Sequence, residues 1–245
     1  MAEEIRTIVS CEHGGNRVPG PYRYLFVGQQ PILDGHRGWD PGALLVARYL
    51  SKALGASLHA SRISRLLVDL NRSPHHPSLF SPSVRSLPSS TRKDILDRYY
   101  WPYRRALAAE IRDGVDDGQA VLHLAIHTFT PVLEGEVRPL EMGILYDPSR
   151  ARERAFAREW KRALEARISG TAAGTRIRFN QPYRGVSDGI STWLRRTFEE
   201  DLYIGIEVEL SQGIVRGRDS RWKALRAALP SSLMDAVSTR PLPAA

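Results

Sequence analysis

The stretch Ile8-Val-Ser-Cys-Glu-His-Gly-Gly-Asn-Arg-Val-Pro19 is an apolar run that breaks off at an acid and a histidine and then turns on two glycines. It reads as a buried strand that delivers His13 to the rim of a sheet, with Gly14 and Gly15 letting the backbone crowd a bound group. A histidine at the carboxyl end of a strand in an open α/β sheet stands where such sheets bind ligands. The competing reading is a surface turn with an incidental histidine.

Other runs end in the same way. Ser64-Arg-Leu-Leu-Val-Asp-Leu-Asn-Arg-Ser73 reads as an apolar strand that erupts into Asp69, Asn71 and Arg72. Such a cluster is costly to bury unless its members pair with each other, as in an Asp69 to Arg72 ion pair, or with a ligand. Arg72 offers a planar fork that matches a carboxylate, and Asn71 a neutral donor beside it. Gln119-Ala-Val-Leu-His-Leu-Ala-Ile-His-Thr-Phe-Thr-Pro131 carries His123 and His127. On a strand these lie about 13 Å apart, so they cannot share one metal. His127, at the strand edge, is the candidate ligand, and His123 reads as a satisfied core residue. Tyr203-Ile-Gly-Ile-Glu-Val-Glu-Leu210 alternates so that Glu207 and Glu209 share one face, where one of them can act as acid or base.

Helical stripes separate the runs. Pro41 to Leu54 has apolar residues at Leu44, Ala47, Leu50 and Leu54, with Pro41 suited to the first helical position and Asp40 to the N-cap. A carboxylate at that cap can also turn outward to a cation. A long helix is predicted from Thr91 through Asp113, kinked at Pro102. An amphipathic helix follows over Ser149 to Ile168, a shorter helix capped by Ser187 or Asp188 runs to Phe198, and a closing helix spans Arg218 to Val237. Short strands are expected at Ser57 to Ala60, Met142 to Tyr146 and Arg176 to Asn180, and a Pro- and Ser-rich loop at 73–90.

With 245 residues and no dividing linker, the chain reads as a single α/β domain over 1–245, its core at 5–237 and Ser238 to Ala245 a frayed tail. No apolar run approaches the roughly 20 residues needed to cross a bilayer. The start Met-Ala-Glu-Glu-Ile carries acid where a secretory signal carries base. Cys11, the single cysteine, excludes an internal disulfide and a thiolate-rich zinc site. Together these features lead us to expect a cytoplasmic protein without membrane partners. The net charge of +8 raises the question of nucleic acid. Much of the excess is arginine interleaved with glutamate on helical faces, as in Ser149 to Arg162, and neither a recognition helix nor a stacking motif stands out.

Two histidines and a carboxylate are a common catalytic zinc set, with the fourth position left to water, whose pKa the metal lowers to about 7. No Gly-x-Ser-x-Gly elbow competes with it. Six blocks in order resemble the N-formylglutamate amidohydrolase family. They are Ser10 to Pro19, His36 with Trp39-Asp-Pro-Gly-Ala43, Ser64 to Arg72, Ile126-His-Thr-Phe-Thr-Pro131, Asn180-Gln-Pro-Tyr183 and Gly205-Ile-Glu207. The resemblance implies a zinc carboxypeptidase-like fold: three layers, with a mixed, mostly parallel sheet flanked by helices and the metal at the strand ends. It implies a zinc-dependent hydrolase of a small anionic N-acyl amino acid, with a zinc peptidase or cell-wall amidase as the nearest rival. His13 and His127 would be metal ligands, Glu207 the general base and Arg65 the group that polarises the scissile carbonyl. Asn71 and Arg72, with Asn180 and Tyr183, would bind substrate. The carboxypeptidase pattern His-x-x-Glu is broken here by Asn16, so Asp40 is expected as the second ligand, with Glu12 as its rival.

Overall fold

The computed structural model describes residues 5–217 and 219–238. Among the described residues eight strands are formed: β1 (Ile5–Cys11), β2 (Ser57–Ala60), β3 (Ala120–Phe129), β4 (Val132–Leu133), β5 (Glu136–Val137), β6 (Met142–Leu145), β7 (Ile177–Phe179) and β8 (Tyr203–Ser211). Six of them make one sheet in the order β2-β1-β3-β8-β6-β7, and β4 and β5 form a separate small hairpin. Every pairing in the large sheet is parallel except β6 against β8, so the sheet is mixed and mostly parallel. The acidic start (residues 1–4) and the expected tail beyond Ser238 lie outside the described residues.

Helices cover both faces. Leu122, Leu124 and Ile126 of β3 and Val208 and Leu210 of β8 pack with the helices Ala43–Leu54, Ala151–Ile168 and Ser220–Ser238. On the other face Ile8, Val121 and Tyr203 meet Leu107 and Ile111 of the Trp101–Asp116 helix and Ile190 and Leu194 of the Ile190–Arg195 helix. Covered on both sides, β3 and β8 are buried along their whole length, as central strands of parallel sheets are. No helix among the described residues is long and apolar enough to cross a membrane.

The topology fixes where a ligand can sit. From β1 the chain runs through the Ala43–Leu54 helix to β2 on one side, and later returns to β3 on the other. The carboxyl ends of β1 and β3 therefore flank a topological switch point, the crevice that open α/β sheets use for binding.

Several local expectations are corrected. The first long helix begins at Ala43 behind Gly42, which sits at φ +96° as its N-cap, so Asp40 does not cap it. Its buried stripe is Ala43, Val46, Ala47 and Leu50. Ser64 to Ser73 is not a strand. It is a series of turns closed by Leu67 N–H to Ser64 O and Arg72 N–H to Asp69 O. Its apolar residues Leu67, Val68 and Leu70 are drawn away from the sheet into a second core with Tyr22, Phe26, Leu33, Val84, Ile95 and Tyr100. Gly14 and Gly15 crowd the chain rather than a ligand, since a Cβ on them would stand 2.8 Å from Ser61 O and 2.9 Å from Arg62 O. The helix expected from Thr91 starts at Ser89, and a π-helical turn over Leu96–Tyr100 precedes Pro102, which falls near the start of the Trp101–Asp116 segment. The 73–90 loop holds a short helix, Pro82–Arg85, and Gly189 takes the cap position expected for Ser187 or Asp188.

Candidate active site

His13 lies two residues beyond β1 and is carried into the crevice by the turn that follows; Asp40 N–H donates to its carbonyl at 2.9 Å. His127 projects from the end of β3, opposite Glu209 of β8. Freed from capping, Asp40 points between the two rings. Its Oδ2 lies 3.0 Å from His127 Nδ1 and 3.4 Å from His13 Nδ1, and the ring centroids are 5.2 Å apart. All three residues are buried.

The far nitrogens of both rings also face carboxylates, His13 in a hydrogen bond and His127 at ion-pair distance. His13 Nε2 is 2.7 Å from Asp69 Oδ1, and His127 Nε2 is 3.2 Å from Glu12 Oε2. Glu12 thus lies behind His127, away from the point where His13, Asp40 and His127 converge. Asp69 turns to His13 and not into the ion pair with Arg72 that its sequence neighbourhood suggested.

The trio has the donor set of a divalent-cation site. One atom from each residue lies within 4.8 Å of the others. Nitrogen and oxygen ligands bound about 2.0–2.1 Å from a tetrahedral ion stand about 3.3 Å apart, close to the spacing seen around Asp40 Oδ2. His13 Nδ1 is buried and has no hydrogen-bond partner, which leaves its lone pair for a ligand, whereas His127 Nδ1 pairs with Asp40 Oδ2 at 3.0 Å.

The charges are tightly coupled. Burial opposes ionisation of Asp40, but the Arg65 guanidinium and the two histidines hold its carboxyl well below the usual range. Burial also opposes a charge on His127, yet hydrogen bonds to Asp40 and Glu12 prevail and carry it well above the ordinary histidine value. Glu12 is buried too, and His127 brings its pKa down to about 2. Burial pushes Glu209 up to about 8, with His127 pulling it down and Asp40 and Glu207 adding to the rise.

The remaining expected residues are placed as follows. Arg65 bonds to the outer oxygen of Asp40. Asn71 Oδ1 accepts from Ile190 N–H at 2.7 Å, and Arg72 donates to Asp188 O at 2.7 Å. Tyr100 O–H and Arg104 donate to the Arg72 carbonyl and so fix this loop from below. Glu207 and Glu209 are both buried; Glu207 Oε1 approaches Gly189 next to Asn71, while Glu209 lies nearer His127. Asn180, at φ +50°, accepts from Tyr146 N–H and Gly185 N–H with its side-chain oxygen, which shapes the turn. Tyr183 stands exposed on that turn and accepts from Arg138 at 3.0 Å. Gly143 allows the turn to lie against the site, since a Cβ there would come within 1.9 Å of Gln181 O and 3.3 Å of Glu209 Cβ.

His123 is buried between Tyr203 O–H at 2.7 Å and Ser10 Oγ at 2.8 Å, a core residue with both ring nitrogens engaged. The backing roles of Glu12 and Asp69, the Tyr103 hydroxyl on Glu12 and the Arg138–Tyr183 contact went unread in the sequence. Only Asp69 left a signal there, as the acid in an apolar run.

The family model for N-formylglutamate amidohydrolase matches residues 5–215. A gene product of Agrobacterium tumefaciens of solved structure is 29% identical, with a TM-score of 0.78 over 97% of this chain and 92% of that one. The N-formylglutamate amidohydrolase of Ralstonia eutropha JMP134 is 16% identical, with a TM-score of 0.67 over 97% of this chain and 94% of that one, and shares the fold. A comparison with the curated proteins gives no significant match. The match over most of its length shows that this chain belongs to the N-formylglutamate amidohydrolase family.

Proposed function

We propose that the protein is a zinc-dependent amidohydrolase that cleaves the amide bond of a small anionic N-acyl amino acid, with N-formylglutamate the substrate the family name suggests. The observation that carries this reading is the convergence of His13 Nδ1 and His127 Nδ1 on one Asp40 oxygen, each ring backed by a further carboxylate. When bound there, a zinc ion supplies Lewis acidity, which polarises a carbonyl and makes water acidic enough to ionise near neutral pH.

The chain's own groups do the rest. Glu207 takes the proton of the attacking water at its carboxylate and passes it to the departing amine nitrogen. Arg65, at the rim and bound to Asp40, faces the carbonyl oxygen as negative charge grows on it. Asn71, through its free amide donors, and Arg72, through the guanidinium edge not used on Asp188, hold the substrate carboxylate. Asn180 shapes the turn that presents Tyr183 as the outer wall. Positive charge at Arg65 and Arg72 favours an anionic substrate.

The test is metal analysis of the purified protein together with a screen of N-acyl amino acids. One zinc per chain is expected in wild type and little in Asp40→Ala. Glu207→Gln should keep its zinc and lose about 10²- to 10⁴-fold in kcat. Full turnover by Glu207→Gln removes the proposed base, and a parallel Glu209→Gln shows whether the neighbouring carboxyl holds that role. Full zinc retention in Asp40→Ala removes Asp40 from the ligand set. Hydrolysis of peptides in preference to acylated amino acids would move the substrate class.

A further inference from the structure

The two ligand rings are oriented alike. Each turns Nδ1 toward Asp40 Oδ2 and Nε2 toward a carboxylate of its own: Asp69 for His13 and Glu12 for His127. For His127 the arrangement extends one step further. Glu12 Oε1 accepts the Tyr103 hydroxyl at 2.8 Å, and that hydroxyl also lies 3.1 Å from the His59 carbonyl. Tyr103 stands on the Trp101–Asp116 helix, which packs on the same face of the sheet to which Glu12 points.

We infer that Glu12 is the positioning residue of the metal centre: it holds the Nε2–H of His127 so that Nδ1 alone faces the cation, and Tyr103 holds Glu12. The inference rests on the metal reading proposed above. Three observations support it. Glu12 is fully buried, and a carboxylate in such a place is costly unless it is paired. Glu12 Oε2 and His127 Nε2 face each other at ion-pair distance, 3.2 Å, and neither atom has a hydrogen-bond partner, so each is left for the other. Glu12 also directly precedes His13, so one turn of chain supplies a ligand on one side and the support of the opposite ligand on the other. A carboxylate behind a metal-bound imidazole fixes its tautomer and raises its basicity, and removing such a partner costs about 10- to 100-fold in metal affinity.

The experiment measures zinc affinity by competition with a chromogenic chelator for wild type, Glu12→Gln, Tyr103→Phe and the double variant, and records ring ¹⁵N spectra of the zinc-loaded wild type. Zinc should bind about 10- to 100-fold more weakly in Glu12→Gln. Tyr103→Phe should show a smaller loss, and the double variant a loss short of the product of the two, since the residues act in one chain. His127 should carry its proton on Nε2, which a merely space-filling Glu12 would not require. Unchanged zinc affinity in Glu12→Gln, or a His127 that binds through Nε2, overturns the inference while the metal reading stands. A wild type that takes up no zinc overturns both. Should Glu12→Gln fail to fold, the wild-type tautomer and Tyr103→Phe decide.

Discussion

His123 offers a pH experiment on the core that is independent of the metal. The ring is fully buried between Tyr203 and Ser10, and burial lowers its pKa from 6.5 to about 4, with nearby Glu12 only partly offsetting the drop. The unfolded chain therefore binds a proton between pH 6.5 and 4 that the folded chain refuses. The stability from the depressed pKa is complete above pH 6.5 and is lost as pH falls toward the folded value. Two and a half pH units at about 1.4 kcal/mol each give a loss on the order of 3 kcal/mol. The perturbation is His123→Gln, which keeps a donor and an acceptor but has no proton to titrate. Urea unfolding of metal-free wild type and variant from pH 7.5 to 4 isolates the residue, because other titrating groups largely cancel in the difference. The wild-type curve should fall more steeply by up to about 1.4 kcal/mol per pH unit below pH 6.5, and the curves should run parallel above it. Parallel curves over the whole range would refute the claim that the ring is held neutral by burial.

Other consequences are equally direct. Glu153, buried, binds Arg195 and the backbone amides of Gly205 and Asp147. Glu153→Ala strands the Arg195 charge and should cost about 3–5 kcal/mol, lowering Tm by about 6–20 °C in a thermal melt; a shift within error would mean the pair is dispensable. Gly143→Ala should push the Gln181 turn off β6 and raise KM more than it lowers Tm, which steady-state kinetics beside a melt will show. On the proposed zinc reading, free zinc at 100 times its Kd should add about 2.7 kcal/mol of stability over chelator-treated protein, and an unchanged Tm would argue that the trio holds no ion.

The sheet and its rim were legible because their signals are local. Apolar runs broken by a histidine or an acid marked β1, β3 and β8, and both histidines proposed as metal ligands stand where those runs end. Asp40 reads as a helix cap because Pro41 follows it, whereas Gly42 holds the cap position and the Asp40 carboxylate turns to Arg65 and the two rings instead. The Ser64 to Ser73 segment was misread because its apolar residues are as dense as a strand's, and only the presence of a second core decides that they pack elsewhere. Nothing along the chain joins Glu12 to Tyr103 or Glu153 to Arg195, since those pairings exist only after the helices have docked.

The hydrophobic packing divides into three bodies, one on each face of the sheet and one beside it, and the site draws side chains from the sheet and from the body beside it. His13, His127 and both β8 glutamates are carried by the sheet, whereas Asn71 and Arg72 ride on the smaller body of turns and short helices that contains Leu67, Leu70 and Tyr100. Arg65 and Asp69 stand on the same segment as Asn71 and Arg72, so a shift of that smaller body moves the substrate grip together with the side chains that touch Asp40 and His13.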